Sequence, residues 1–224
     1  MDIYGLVSGP LVWVALVIFG LGLIYQVRQF LAGTRIQEVV RPPASVLGDV
    51  ELSKPLSLAD IKNSFFGVHP VMAVVTTIFH VFLIMLPIFL LGHNVLLEES
   101  TGFSLFVFPE IVADTLTLVV LLGGVFFFLR RILVRRVRAI TSLYDYIILA
   151  IVIAPFVTGY MATQQWLDYD TILILHILAG ELMLMAIPFT KLKHGLLLFL
   201  YRYLMNYEHC LGSGTRVWSY NQAK

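Results

Sequence analysis

The histidines are the residues of this sequence best suited to chemistry, and four of the six lie in two strongly apolar stretches. At about 100° per residue, the 11 positions from His69 to His80 come within about 20° of three full turns. The 18 positions from His176 to His194 make about five full turns. Each apolar stretch therefore predicts a helix that presents two imidazoles on one face.

Two such helices running antiparallel would bring the imidazoles together in pairs. His69 then lies level with His194, and His80 lies level with His176. A facing pair of neutral imidazoles supplies the two axial ligands of a b-type haem. The pattern predicts two haems b at two levels.

The two spacings differ in length, because 11 residues rise about 16.5 Å along a helix and 18 residues rise about 27 Å. Helix tilt, or bending at Pro87 and Pro188, must absorb this difference. A lone histidine within a membrane is more often a hydrogen-bonding or proton-relay group than a ligand, but a packing role would not require this register. His93 and His209 do not share the pattern, and we predict that they are solvated loop residues at opposite membrane surfaces.

The composition requires that these helices cross a membrane. Of 224 residues, 59% are hydrophobic and 13% are charged, and the mean hydropathy is +0.89. This balance excludes a soluble globular enzyme. The net charge of +1 argues against binding to nucleic acid. The single cysteine, Cys210, excludes an internal disulfide, a four-thiolate zinc site and an iron–sulfur cluster.

The fold class predicted for residues 1–224 is a single all-α membrane domain with five transmembrane helices. Apolar stretches long enough to span a bilayer lie at about 5–26, 67–92, 105–129, 143–165 and 171–200. The first could be read as a secretory signal, but Asp2 lies where a basic region should be, and no cleavage site follows. We therefore expect it to be a retained span.

The charges predict the orientation of these spans. All 15 lysines and arginines fall in three groups, at 28–62, 130–138 and 191–224, which alternate with the other ends of the spans. Those other ends carry only acidic charges, at Asp2, Glu98, Glu99, Asp168 and Asp170. The positive-inside rule then predicts an N-terminus outside and a C-terminus in the cytoplasm. The expected location is the inner (plasma) membrane of a cell, with multiple passes and direct contact with membrane lipid.

The sequence resembles the gamma subunit of respiratory nitrate reductase and its relatives, which are five-helix di-haem cytochromes b. The resemblance is carried by residues 122–124 running into 130–139, and by residues 175–194, which include Gly180 and Pro188. It implies that His69 and His194 hold the iron of the inner, cytoplasmic haem. It likewise implies that His80 and His176 hold the iron of the outer haem.

The compact outer loops are more similar to the relatives in transmembrane electron-transfer complexes of sulfate-reducing bacteria. Those relatives join an outer, periplasmic multihaem cytochrome c to a cytoplasmic iron–sulfur subunit. The resemblance implies a membrane-anchor cytochrome b of a respiratory oxidoreductase complex. Such a subunit carries electrons between the outer face, fed by the quinol pool or by the cytochrome c, and the iron–sulfur subunit, and substrate chemistry belongs to a partner.

The expected quinol site departs from the family pattern. The gamma subunit has a lysine shortly before its third helix that is implicated in quinol binding, and residues 104–109 contain none. Glu110 and Asp114, one helical turn apart, could instead take protons from a quinol such as menaquinol, or could cap the third helix near water. Both interpretations stay open from the sequence.

A second class of function uses no haem. The histidines and Glu181 could serve a proton-coupled transporter, or the chain could be a structural membrane anchor. The sequence has neither the inverted repeat nor the paired broken helices that small transporters usually show. For Glu181 itself, a hydrogen bond within the bundle is the favoured interpretation.

Overall fold

The computed structural model describes residues 3–34 and 65–200, and within these ranges the chain is helical with no strand. Five helical segments are long and apolar enough to cross a membrane. They are Ile3–Gly33, Pro70–Phe89, Glu110–Leu133, Leu143–Thr163 and Tyr169–Phe189. The predicted all-α class and the number of spans are thus confirmed. The second and fifth spans end earlier than predicted, at Phe89 and Phe189.

The helices are labelled here in chain order. They are α1 (Ile3–Leu6), continued by a π-helical segment (Val7–Leu11) into α2 (Val12–Thr34), then α3 (Phe65–Val68), α4 (Pro70–Phe89), α5 (Leu91–Thr101), α6 (Glu110–Leu133), α7 (Arg135–Arg138), α8 (Leu143–Thr163) and α9 (Tyr169–Phe189), followed by a 3-10 turn (Lys191–Lys193).

Charge divides the described helices into two ends. The basic end carries Arg28, the arginines of 130–138, Lys191 and Lys193, and the acidic end carries Glu98, Glu99, Glu110, Asp168 and Asp170. Asp168 begins α9 as its N-cap, because its Oδ2 accepts from the hydroxyl of Thr171 at 2.7 Å and from the backbone N–H of Thr171 at 3.0 Å. These two bonds hold the pKa of the Asp168 carboxyl below its ordinary value.

The spans pack side by side in the order α2, α9, α8, α6, α4. A buried apolar cluster of Phe79, Leu86, Val120, Val152 and Phe156 joins α4, α6 and α8. No broad packing contact joins α4 directly to α9 among the described residues. The helices that carry His80 and His176 therefore lack the broad packing that links the other neighbours.

Glycines set two of the close approaches. A Cβ at Gly22 of α2 would lie 2.5 Å from Cγ of Pro188, and a Cβ at Gly123 of α6 would lie 2.7 Å from Cδ2 of Phe79. Gln26, one turn beyond Gly22, donates from Nε2 to the carbonyl of Pro188 at 2.7 Å. Because α9 ends at Phe189, the Pro188 carbonyl has no N–H donor from a further helical turn. The bond from Gln26 supplies that donor.

Candidate histidine centres

A break between α4 and α5 directs His93 into the bundle. Leu90 is extended, with φ −75° and ψ 140°, so the last carbonyls of α4 lose the N–H donors of a continuing helix. Other donors replace them. Pro87 O accepts from His93 Nδ1 at 2.8 Å, Ile88 O from Asn94 Nδ2 at 2.8 Å and Phe89 O from Phe108 N at 3.0 Å. The replacement bonds fix the imidazole of His93 at the end of α4.

The structure brings four histidine rings together as two pairs. At the basic-end pair, the rings of His80 on α4 and His194 after the 3-10 turn have centroids 5.9 Å apart and planes at 87°. At the acidic-end pair, the rings of His93 on α5 and His176 on α9 have centroids 5.9 Å apart and planes at 14°. The described residues thus contain two histidine ring pairs, one toward each end of the bundle.

The membership of the pairs differs from the prediction. We expected His69 opposite His194 and His80 opposite His176, whereas His80 faces His194 and His93 faces His176. His69, the N-cap residue of α4, makes its contact outside these two ring pairs. The expectation that His93 is a solvated loop residue was wrong, because it is half-buried within α5. His209 lies outside the described residues.

Each of the four paired rings makes the same second contact, from Nδ1 to a backbone carbonyl. The bonds are His80 to Thr76 at 2.7 Å, His93 to Pro87 at 2.8 Å, His176 to Pro155 at 2.9 Å and His194 to Lys191 at 2.8 Å. A carbonyl only accepts, so Nδ1 carries the proton and Nε2 of the neutral ring keeps its lone pair. Metal-bound histidines are oriented by this kind of bond.

Backbone packing also fixes the ring of His176. A Cβ added at Gly159 of α8 would lie 2.9 Å from Cε1 and 3.1 Å from Nδ1 of this ring. The imidazole therefore rests on the backbone of α8, in a space that a larger residue would invade. The ring accordingly has support from the carbonyl of Pro155 and from the glycine one turn later.

An ion pair supports the turn that carries His194. Lys191 Nζ lies 2.6 Å from Asp145 Oδ1, and the same ammonium lies 5.6 Å from the centroid of the Tyr144 ring. The other oxygen of Asp145 accepts from the N–H of Ser142 at 2.8 Å and from its hydroxyl at 2.9 Å, which forms the capping box of α8. Sequence reasoning gave Asp145 no role, and only the fold brings it to Lys191.

The donor set limits the ligand that the pairs can hold. Within residues 3–34 and 65–200, no three side chains of His, Cys, Asp or Glu converge as a bare metal ion would require. Each pair offers two nitrogens and no third ligand. The arrangement therefore suits a group that brings the remaining ligands of its own metal.

The residues predicted for proton or quinone chemistry lie at the acidic end. Asp114 is half-buried on α6, and its Oδ2 accepts at 2.7 Å from Nε2 of Gln164, the C-cap residue of α8. Glu110 is the exposed first residue of α6, where its charge complements the helix dipole. Gln164 follows Gly159 by five positions and so lies on the acidic side of the His176 ring. Sequence reasoning did not identify it.

Glu181 is the buried acidic side chain of α9, with 4% of its surface exposed. Its Oε1 has no hydrogen-bond partner among the described residues, so the bond within the bundle that we favoured is not seen for this atom. Glu181 follows His176 by five positions and precedes His194 by 13, which puts it between the two histidine pairs along the chain.

Comparison with known proteins identifies one relative of nearly full length. A protein of Nitratidesulfovibrio vulgaris (strain Hildenborough) is 39% identical over 215 residues, which cover 94% of this chain and 95% of the relative. The chain belongs to the same family as that protein. No protein-family profile matches the chain. No solved structure matches it either.

Proposed function

We propose that this protein is a di-haem cytochrome b subunit that carries electrons between the two faces of a membrane. The observation that carries the proposal is the two histidine ring pairs, in which all four Nδ1 atoms bond to backbone carbonyls. In each neutral ring this leaves Nε2 as the nitrogen with a lone pair. The ligands in this proposal are His80 with His194 and His93 with His176. This assignment keeps three of the four histidines expected from the resemblance and replaces His69 with His93.

Haem, when bound, supplies an iron that takes up and releases one electron. The chain's own residues would hold that iron from two sides and fix the ring planes through their carbonyl bonds. His80 and His176 lie within helices that are apolar enough to span a membrane, so one side of each centre would lie away from water, whereas His194 is exposed. Two centres at two depths would give electrons successive sites between the acidic and basic ends.

The proposed orientation places the basic end in the cytoplasm, with the N-terminus outside and the C-terminus inside. Its support is that every lysine and arginine of the described residues lies at that end. Reporter fusions at the C-terminus and in the segment 98–104 test it. An enzymatic reporter that is active at the C-terminus only outside the cytoplasm would overturn the orientation.

The proposed partners follow from the resemblance to transmembrane electron-transfer complexes. At the basic end a cytoplasmic iron–sulfur subunit would exchange electrons with the His80–His194 centre. At the acidic end a multihaem cytochrome c, or a quinol, would exchange electrons with the His93–His176 centre. The exposed carboxylates Glu98, Glu99, Asp168 and Asp170 would attract a basic donor protein at low salt.

Quinol oxidation at the acidic end would need a proton acceptor, and Asp114 is the candidate with the better support. Its bond to Gln164 ties it to α8, the helix on which His176 rests. The test is the rate of haem reduction by a menaquinol analogue in the wild type and in Asp114→Asn, with Glu110→Gln as the companion variant. Fast reduction that is lost in Asp114→Asn supports a quinol site at Asp114. Haems that are reduced only by a cytochrome c donor would contradict a quinol site there.

The alternative function, a proton-coupled transporter or a structural anchor, finds its support in Glu181. A buried carboxyl with an unpartnered oxygen between two histidine pairs resembles a proton relay. A visible spectrum of the purified protein separates the two functions. Sharp bands on reduction, with two haems b per chain, support the cytochrome, and their absence from protein made with ample haem would refute it.

A further inference from the structure

An apolar groove runs between α6 and α8 on the outside of the bundle. Its volume is about 450 Å³. The residues that line it include Leu121, Val125, Phe128, Tyr146, Ala150 and Val157. The rings of Phe128 and Tyr146, with centroids 5.7 Å apart, border it toward the basic end. The histidine pairs contribute nothing to this surface.

The groove has the length of one lipid leaflet. Along α8 its lining runs from Tyr146 to Val157, which is 11 positions or about 16.5 Å of helix. Half of a hydrocarbon core of about 30 Å is about 15 Å. Because α6 ends and α8 begins at the basic end, the groove occupies the half of the bilayer next to that end.

Five arginines lie where the groove meets the basic end. They occupy the last turn of α6 and the segment that leads to α8, and they are Arg130, Arg131, Arg135, Arg136 and Arg138. None of them forms an ion pair with a carboxylate in the part of the chain that the structure describes, where Asp145 pairs with Lys191. An apolar groove one leaflet long thus ends at a group of cations that no described acid neutralises.

We infer that this surface binds an anionic phospholipid of the leaflet at the basic end. An acyl chain fits the apolar groove, and the phosphate fits the guanidinium groups, which donate to phosphate in a bidentate manner. Anionic lipids are recognised by basic sites of this kind next to spanning helices. The inference is independent of the haem proposal, since no histidine takes part.

The experiment adds dioleoylphosphatidylglycerol or dioleoylphosphatidylcholine to the detergent-purified full-length protein and counts bound lipid by native mass spectrometry. The two lipids share their acyl chains, so their difference reports the headgroup. We expect phosphatidylglycerol to bind at least tenfold more tightly. The double variant Arg135→Gln/Arg136→Gln should reduce its affinity to that of phosphatidylcholine, whereas Arg28→Gln, at the basic end of α2, should not.

A second pair of variants tests the groove itself. Ala150→Phe places a ring in the groove, and we expect it to weaken phosphatidylglycerol binding at least tenfold. Leu122→Phe adds a ring at an exposed position of α6 outside the lining, and should leave binding unchanged. Thermal unfolding and retained helicity show that each variant is folded.

Three results would overturn the inference. Equal affinity for the two lipids would show that the anionic headgroup is not recognised. Unchanged binding in Ala150→Phe would show that the lipid does not occupy the groove. Displacement of phosphatidylglycerol by a menaquinone, but not by phosphatidylcholine, would make the groove a site for an isoprenoid tail instead.

Discussion

Lys191 links two elements of the basic end, since its Nζ lies 2.6 Å from Asp145 Oδ1 while its carbonyl accepts from His194 Nδ1 at 2.8 Å. The side chain of Lys191 is 62% exposed, so the ion pair should contribute at most about 1 kcal/mol to stability. Its larger effect should be on the turn that orients the His194 ring. We therefore regard Lys191 as a positioning residue for the basic-end pair.

Replacing Lys191 tests that role. In Lys191→Met the backbone carbonyl and the Asp145–Ser142 capping box remain, and only the ion pair is lost. We expect a change in unfolding free energy below about 1 kcal/mol, together with a shifted reduction potential of one haem. Redox titration, followed in the visible spectrum, measures the reduction potential of each haem. Lys193→Met, at the other end of the 3-10 turn, is the control, and equal shifts of both haems in Lys191→Met would contradict the role.

The ligand assignment gives a prediction that separates His93 from His69. His93→Ala should reduce the haem content from two to one per chain, because His176 alone cannot hold a bis-imidazole centre. His69→Ala should retain two. The pyridine haemochrome assay on purified protein gives the count. Loss of one haem in His69→Ala with two retained in His93→Ala would restore the assignment made from helical phase.

The sequence predicts the number of spans because each is long and uniformly apolar, and length alone decides whether a helix crosses the hydrocarbon core. It predicts two histidine pairs because three of the four ring-bearing positions lie in apolar segments. Helical phase led to His69, since the 13 positions from His80 to His93 amount to about 1300°, which would leave the two side chains about 140° apart on a continuous helix.

Because the helix is broken at Leu90, the phase difference between His80 and His93 does not apply. A calculation from helical periodicity assumes a continuous helix and so cannot detect this break. Pro87 and Gly92 were the local signals for it, because proline weakens the helix hydrogen bonds around it and glycine relaxes the backbone just after. The spacings agree better once the break is known. Thirteen residues rise about 19.5 Å as helix, closer to the 27 Å of the other segment than the 16.5 Å of the predicted pair.

The ring planes predict two different electron paramagnetic resonance signals. Parallel imidazole planes separate the energies of two iron d orbitals, and perpendicular planes leave these orbitals nearly equal. The angle of 14° between His93 and His176 therefore predicts a rhombic low-spin signal, and the angle of 87° between His80 and His194 predicts a strongly anisotropic one. Spectra of the oxidised protein check this. His93→Ala should remove the rhombic signal alone, and loss of the anisotropic signal instead would contradict the assignment.

Gly159 should be intolerant of a side chain because of the His176 ring. In Gly159→Ala the new Cβ would lie 2.9 Å from Cε1, so the ring must move away from its carbonyl partner. We expect the acidic-end haem to be lost or to change its spectrum, with the other haem intact. Gly180→Ala is the matched control, since a Cβ there meets nothing within 4 Å. Identical spectra of the two variants would contradict the packing of His176 on α8.

The contact between α2 and α9 gives a prediction about stability rather than haem. In Gly22→Ala the Cβ would lie 2.5 Å from Pro188 Cγ, so α2 must shift away and weaken the bond from Gln26 to the Pro188 carbonyl. Overpacking of this kind costs about 1–3 kcal/mol. Unfolding by sodium dodecyl sulfate in mixed micelles, followed by circular dichroism, measures the change.

Gly20→Ala provides the reference for Gly22→Ala, because it makes the same change in helix propensity on the same helix and its Cβ meets nothing within 4 Å. The difference between the two variants therefore isolates the contact with Pro188. Since α2 carries no histidine, both variants should retain two haems while only Gly22→Ala loses stability. Equal stability of the two variants would contradict the close approach, and loss of haem in Gly22→Ala would mean that α2 holds α9 in the position that the histidine pairs require.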